Sequence, residues 1–236
     1  MITHLADSRG FADHGWLQSA HTFSFADYYH PERMHFGALR VINDDVIAAG
    51  KGFGRHPHRD MEIITIPLEG SLKHEDSEGN VGIINRGEVQ VMSAGTGISH
   101  SEFSDPTLIT KLLQIWVLPK KIGIKPRYEQ KHFLLSERKN RFQLVVSPDG
   151  REGSLAINQD AFFSLAEIDV DLGIVYQPKI LTNGAYLFII NGSFLINGNT
   201  YKARDGIGFP IFNELSFKSL NGPGEVLIME IPMLIK

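Results

Sequence analysis

The chain alternates apolar and polar positions over short stretches and sustains no long helical period. The runs ALRVI (38–42), EIITIPL (62–68), VQVM (89–92), KLLQIWVL (111–118), FQLVVS (142–147), AYLFII (185–190) and VLIMEI (226–231) read as strands. Turn-forming clusters separate them: DSEGN (76–80), NRGE (85–88), SPDG (147–150), NGN (197–199) and NGPG (221–224). Glycine, asparagine and aspartate tolerate the tight backbone of such turns. Many short strands at regular spacing predict an all-β sandwich or barrel with few short helices.

The pattern repeats. The first half reads EGS, DSEGN, then NRGEVQVM, and the second reads NGS, NGN, then ARDGIGFP, which predicts two copies of one β-fold. Pro119 to Pro126 interrupts the pattern and reads as a linker between halves. The expected units are 1–132 and 133–236. The copies differ in chemistry, because no histidine follows His132. Matching Gly192 to Gly70 places the equivalents of His56 and His58 near Pro178 and Ile180. The second copy is expected to be a structural or pocket-covering wall.

Composition narrows the partners. A length of 236 residues is enough for one large domain or two smaller ones with real cores. A net charge of −4 without a dense Lys/Arg run argues against a nucleic-acid surface. No apolar run approaches the roughly 20 residues that span a bilayer, and MITHLADSRG lacks the pattern of a secretory leader. With no cysteine there are no disulfides, thiolate metal sites or thiol nucleophiles. A cytoplasmic protein is expected, whose metal, if any, is held by His, Asp and Glu.

The pair His56 and His58 is the first candidate for such chemistry. With 10 histidines in 236 residues, about 0.4 such pairs arise by chance, so the pair alone is weak. Residues i and i+2 of a strand share a face, and His100 and Glu102 repeat the arrangement. Two such pairs on neighbouring strands can place three imidazoles and one carboxylate around one point. That set suits Fe, Ni, Cu, Mn or Zn and not Ca or Mg, and it can leave a coordination position open. Gly50, Gly52 and Gly54 precede the first pair, and Gly95 and Gly97 the second, where strands bend or approach closely. GKGFG is not a phosphate loop, since no Lys-Ser/Thr follows at the required spacing. Glu62 is a rival fourth donor, because on a continuous strand residues 56, 58 and 62 face one way. His14, His21, His30 and His35 are expected to have structural or solvent roles, and His74 to be exposed on a hairpin arm. Phe53, Met92 and Trp116 are core residues or pocket walls, and Lys120 and Lys121 form a solvated turn. No nucleophile-elbow motif is present.

Gly50-x5-His56-x-His58-x3-Glu62 resembles the first signature of the cupin superfamily, and Gly87-x5-Ser93-x-Gly95-x4-His100 is a loosened form of the second. Ser93 stands where proline is usual, and the Gly-to-His spacing is longer. HPHRDMEIIT with SAGTGISHSE is similar to the pirin family of bicupins, as are HTFSFADYY (21–29), LRVINDD (39–45) and PRYEQK (126–131). The resemblance implies two tandem cupin-type β-barrels or jelly rolls. It implies metal ligands His56, His58, His100 and Glu102, with Glu62 a nearby inward polar residue. One divalent transition ion is implied, Fe(II) first, with Ni, Co, Mn, Cu or Zn as alternatives.

The resemblance further implies a quercetin 2,3-dioxygenase activity, in which O2 opens a flavonol ring and carbon monoxide leaves. Glu102 would serve as both ligand and catalytic base. Two other readings stand beside it: a metal-bearing protein that binds a regulatory partner, and a cupin isomerase or lyase. A monomer is expected, since duplication supplies two units in one chain.

Overall fold

A computed structural model describes residues 1–234. Among them only three short 3-10 segments are helical, Ala6–Ser8, Leu135–Arg138 and Arg151–Gly153. No helix among the described residues is long and apolar enough to cross a membrane. The strands form three antiparallel sheets, with one short parallel pairing. A four-stranded sheet runs in the order Gly52–His58, Ile98–Ser104, Ser71–Asp76, Val81–Asn85. A seven-stranded sheet runs Arg127–His132, Glu88–Ser93, Glu62–Glu69, Thr110–Val117, Leu39–Ile47, Leu17–His21, Gly10–Asp13. A nine-stranded sheet holds every strand from Gln143 onward together with Ile2–His4.

Alternation explains the layering. Along the strands of the seven-stranded sheet, Ile42, Ile64, Ile66, Val89, Val91, Leu113 and Ile115 point to one face. They pack on Val145, Phe163, Leu165, Phe188, Leu227 and Met229 of the nine-stranded sheet, and this shared apolar layer is the main core. Such face-to-face packing of two sheets removes the apolar side of each from water. The other face of the seven-stranded sheet turns toward the four-stranded one, and Leu17, Ile47, Leu72, Ile84 and Leu112 join the two.

The two units are laced together at the chain ends. Ile2–His4 pairs with Gly206–Phe209, so the first residues belong to the second unit's sheet. The Ala38 N–H donates to the Pro232 carbonyl. Pro119 to Pro126 is not the crossing point between halves, because Arg127–His132 returns to pair with Glu88–Ser93. Lys120 reaches Asp160 at 2.7 Å, so this turn also contacts the second unit. Pro178 and Ile180 lie in the connection between Gly173–Tyr176 and Asn183–Ile196, outside any strand.

Candidate metal centre

His56 and His58 sit on Gly52–His58, and His100 and Glu102 on the adjacent Ile98–Ser104. Register places His100 opposite His56, then slips so that Glu102 lies opposite Phe53. The slip is a bulge, which re-aims side chains locally. Gly52 permits it: a Cβ there would run into the Glu102 carbonyl oxygen. The imidazole centroids are 4.8 Å apart for His56–His58, 4.4 Å for His56–His100 and 4.8 Å for His58–His100. One ligand atom from each of the three lies within 4.8 Å of the others. The same spacing holds for His74, His100 and Glu102.

Hydrogen bonds decide which nitrogens are free. His56 Nδ1 donates to the Gly54 carbonyl at 2.8 Å, leaving Nε2 bare. His74 lies 3.3 Å from Asp76 Oδ2 through Nε2 and 3.3 Å from His100 Nδ1 through Nδ1. With His74 Nε2–H donating to Asp76, His74 Nδ1 accepts from His100 Nδ1–H, and His100 Nε2 is left without a proton. That Nε2 is buried and has no hydrogen-bond partner. A buried nitrogen lone pair without a donor is costly unless something electrophilic meets it. Burial holds His58 down at about 4 and, with the neighbouring histidines, holds His100 far below its usual value. Neutral imidazoles with bare nitrogens are what a transition ion requires, so the donors fit.

Glu102 is fully enclosed. Burial pushes its carboxyl up to about 7, opposed by the Gln114 hydrogen bond and reinforced by the charge of Asp45. Gln114 Nε2 donates to both carboxylate oxygens at 3.3 and 3.1 Å, and Gln114 Oε1 accepts from Thr65 at 2.8 Å. Asp45 is likewise raised to about 7 by burial, against a hydrogen bond from Ser19.

Two expectations need correction. Glu62 does not face the site. Asp60 adopts a left-handed backbone (φ 47°), which ends the strand at His58 and breaks the parity. Glu62 Oε2 instead accepts from Ser93 Oγ at 2.6 Å and from the Asn158 N–H at 3.1 Å, toward the second unit. His74 is not exposed. Ser71–Asp76 pairs with Ile98–Ser104 in a register that sets His74 opposite Glu102 and buries it completely. The ring of Tyr128 stacks on it at 4.7 Å. The only local signal for this was the alternation of Leu72, His74 and Asp76 on one face.

The histidines end a cavity of about 480 Å³ lined by Phe25, Tyr28, Phe53, Trp116, Glu102 and Asp45 among others. Of the three possible wall residues, Phe53 and Trp116 line it, while Met92 packs with Ile63, Ala94 and Ile98. His58 meets the Trp116 ring edge-on at 4.9 Å. His14 and His21 also line the cavity, and His21 donates to Asn43 at 2.8 Å.

Known proteins share this arrangement of strands. A family model described as Pirin matches residues 3–117, and one described as Quercetinase C-terminal cupin domain matches residues 144–231. A protein named quercetin 2,3-dioxygenase from Escherichia coli is 47% identical over 229 residues, 96% of each chain. A pirin-like protein of Caulobacter vibrioides is 42% identical over 203 residues, 86% of this chain and 87% of that one. The crystal structure of the bacterial pirin YhhW in complex with nickel(II) from Escherichia coli superposes with a TM-score of 0.92 at 44% identity, covering 99% of both chains. Identity at this level along nearly the whole length, with two cupin units in the same order, makes this chain a member of the pirin family.

Proposed function

We propose that this protein is a metal-dependent dioxygenase of the quercetin 2,3-dioxygenase type, in which His56, His58, His100 and Glu102 hold one divalent transition ion. The observation that carries this reading is the convergence of three imidazoles at one end of an aromatic-lined cavity of about 480 Å³, with the buried carboxylate of Glu102 also lining it. The volume suits a flat aromatic of drug-like size. Fe(II) is the first expectation, and Ni, Co, Mn, Cu and Zn are compatible with the same donors. The name of the Escherichia coli relative points to a flavonol and O2 as substrates.

When bound, the ion acts as a Lewis acid on a substrate hydroxyl and brings O2 and an electron-rich aromatic to one centre. The chain supplies the rest. Gln114 Nε2 fixes the Glu102 carboxylate, whose remaining lone pairs accept the proton of the flavonol 3-hydroxyl. Phe25, Tyr28, Phe53 and Trp116 flank the rings and keep bulk water from the reacting carbons. His74, held by Asp76, orients His100 through its Nδ1.

The test is an oxygen electrode with carbon monoxide detection on protein loaded with Fe(II), Ni(II), Co(II) or Mn(II). With quercetin, oxygen uptake matched by carbon monoxide release is expected, and His56→Ala is expected to lose both metal and turnover. Metal-loaded protein that consumes no oxygen with any flavonol rejects the reading. Conversion without oxygen uptake identifies an isomerase or lyase instead.

A further inference from the structure

One wall of the cavity carries Ser19, His21, Asn43, Asp45 and Gln114, on the face of the seven-stranded sheet that turns away from the main apolar core. Register aligns one polar residue from each of five consecutive strands: His21 beside Asn43, Asn43 beside Gln114, Gln114 beside Thr65, Thr65 beside Gln90. Ser19 beside Asp45 forms a second, shorter row. His21, Asn43, Asp45, Thr65 and Gln90 are all buried. Buried polar groups on a sheet face destabilise a fold unless each finds a partner.

The partners are incomplete. Ser19 Oγ donates to Asp45 Oδ1, and that is the one hydrogen bond the Asp45 carboxyl receives among the described residues. Ser19 Oγ also lies 3.3 Å from His21 Nδ1, which fixes the hydroxyl between the two. Both amide atoms of Gln90 are buried without a partner. Asp45, Asn43, Ser19 and His21 line the same cavity as Glu102 and Trp116. Among the described residues no lysine or arginine lines it, so no permanent cation pairs Asp45 there. An enclosed carboxyl with a free oxygen toward an aromatic cavity is an acceptor awaiting a hydroxyl donor.

We propose that Asp45, positioned by Ser19, accepts a hydrogen bond from a substrate hydroxyl other than the one that meets the metal, so that the cavity selects polyhydroxylated flat aromatics. This rests on the dioxygenase reading for the orientation of the substrate and adds the class of substrate preferred. A site built around a buried acceptor rejects analogues that lack the donor, because the acceptor is then left desolvated and unpaired.

The test is calorimetric binding to Zn(II)-loaded protein under argon, with quercetin and with 3-hydroxyflavone, which retains only the 3-hydroxyl. The second ligand is the more apolar and gains more from burial alone, so tighter binding of quercetin reports hydrogen bonding. Quercetin is expected to bind roughly 10- to 100-fold more tightly, the range of one hydrogen bond to a charged group. Asp45→Asn is expected to collapse that ratio to within about threefold, and Ser19→Ala, which keeps the carboxyl but frees it, to reduce it in part. Equal affinities in the wild type, an unchanged ratio in Asp45→Asn, or no binding of either ligand overturns the assignment. An intact ratio without oxygen uptake by the Fe(II) or Ni(II) protein removes the dioxygenase reading and leaves the polar wall standing.

Discussion

The interiors of the two units hold buried carboxylates in opposite circumstances. In the second unit Glu230 is fully buried and receives Tyr176 Oη at 3.0 Å, the N–H groups of Lys179 and Ile180 at 2.8 Å, and Asn183 Nδ2 at 3.3 Å. Four donors from one connection make it a clasp for residues 176–183. In the first unit, among the described residues, Asp45 receives one donor, and the only side chain that hydrogen-bonds Glu102 is Gln114. The surroundings differ in the same sense. Phe194, Phe217, Tyr176, Leu187, Ile189 and Val226 fill the second interior with contiguous apolar side chains. The first interior keeps a cavity edged by histidines. Buried polarity that the chain satisfies itself is architecture, and buried polarity it leaves open marks a place where something else binds.

The sharpest way to break this comparison pairs one substitution from each interior. His100→Ala is expected to abolish metal retention, measured by elemental analysis, while the metal-free fold melts close to wild type. Phe194→Ala is expected to cost about 3–5 kcal/mol, because a fully buried ring leaves a cavity. Its melting temperature should fall by roughly 6–20 °C at 2–4 °C per kcal/mol, with metal retained. Loss of metal in Phe194→Ala would show that the two interiors are not independent.

A smaller effect tests the support behind the histidines. His74→Ala is expected to weaken metal affinity about 10- to 100-fold in a chelator competition, since His100 loses the partner that fixes its tautomer. Unchanged affinity would make His74 mere filling. The smallest effect concerns the strand that joins the units. His4 donates to or accepts from Tyr186 at 2.7 Å, and burial, with the charges of Arg33 and His30, lowers it from 6.5 to about 4. The folded protein therefore binds fewer protons than the unfolded chain within that window. The contribution of His4 is intact above about pH 6.5 and is lost as pH falls toward 4. Urea midpoints at pH 7 and pH 5 should differ less in His4→Gln than in wild type; an equal difference would remove His4 as a cause.

Much of the site was legible along the chain. The i, i+2 spacing of His56 with His58 and of His100 with Glu102 is local, and both pairs fall on neighbouring strands of one sheet. Glu62 was misread because a parity argument assumes an unbroken strand, and a single left-handed residue, Asp60, ended it. His74 was misread because its hairpin looks exposed by composition, and only the pairing with Ile98–Ser104 carries it inside. Thr65, Gln90 and Gln114 each appear in the sequence as one polar residue interrupting an apolar run, and Asn43 as the first of three consecutive polar residues in LRVINDDVI. Nothing local says that they align.

The amino-acid sequence by itself determined the β-character, the duplication and the identity of the clustered donors, because period-two alternation, turn residues and short spacings are properties of neighbouring residues. Tertiary structure alone decided that Glu62 turns toward the second unit, that His74 stands behind His100, and that five separate polar residues align across one sheet face. Strand register is set between segments tens of residues apart, and a shift of one residue would turn each of these side chains to the opposite face.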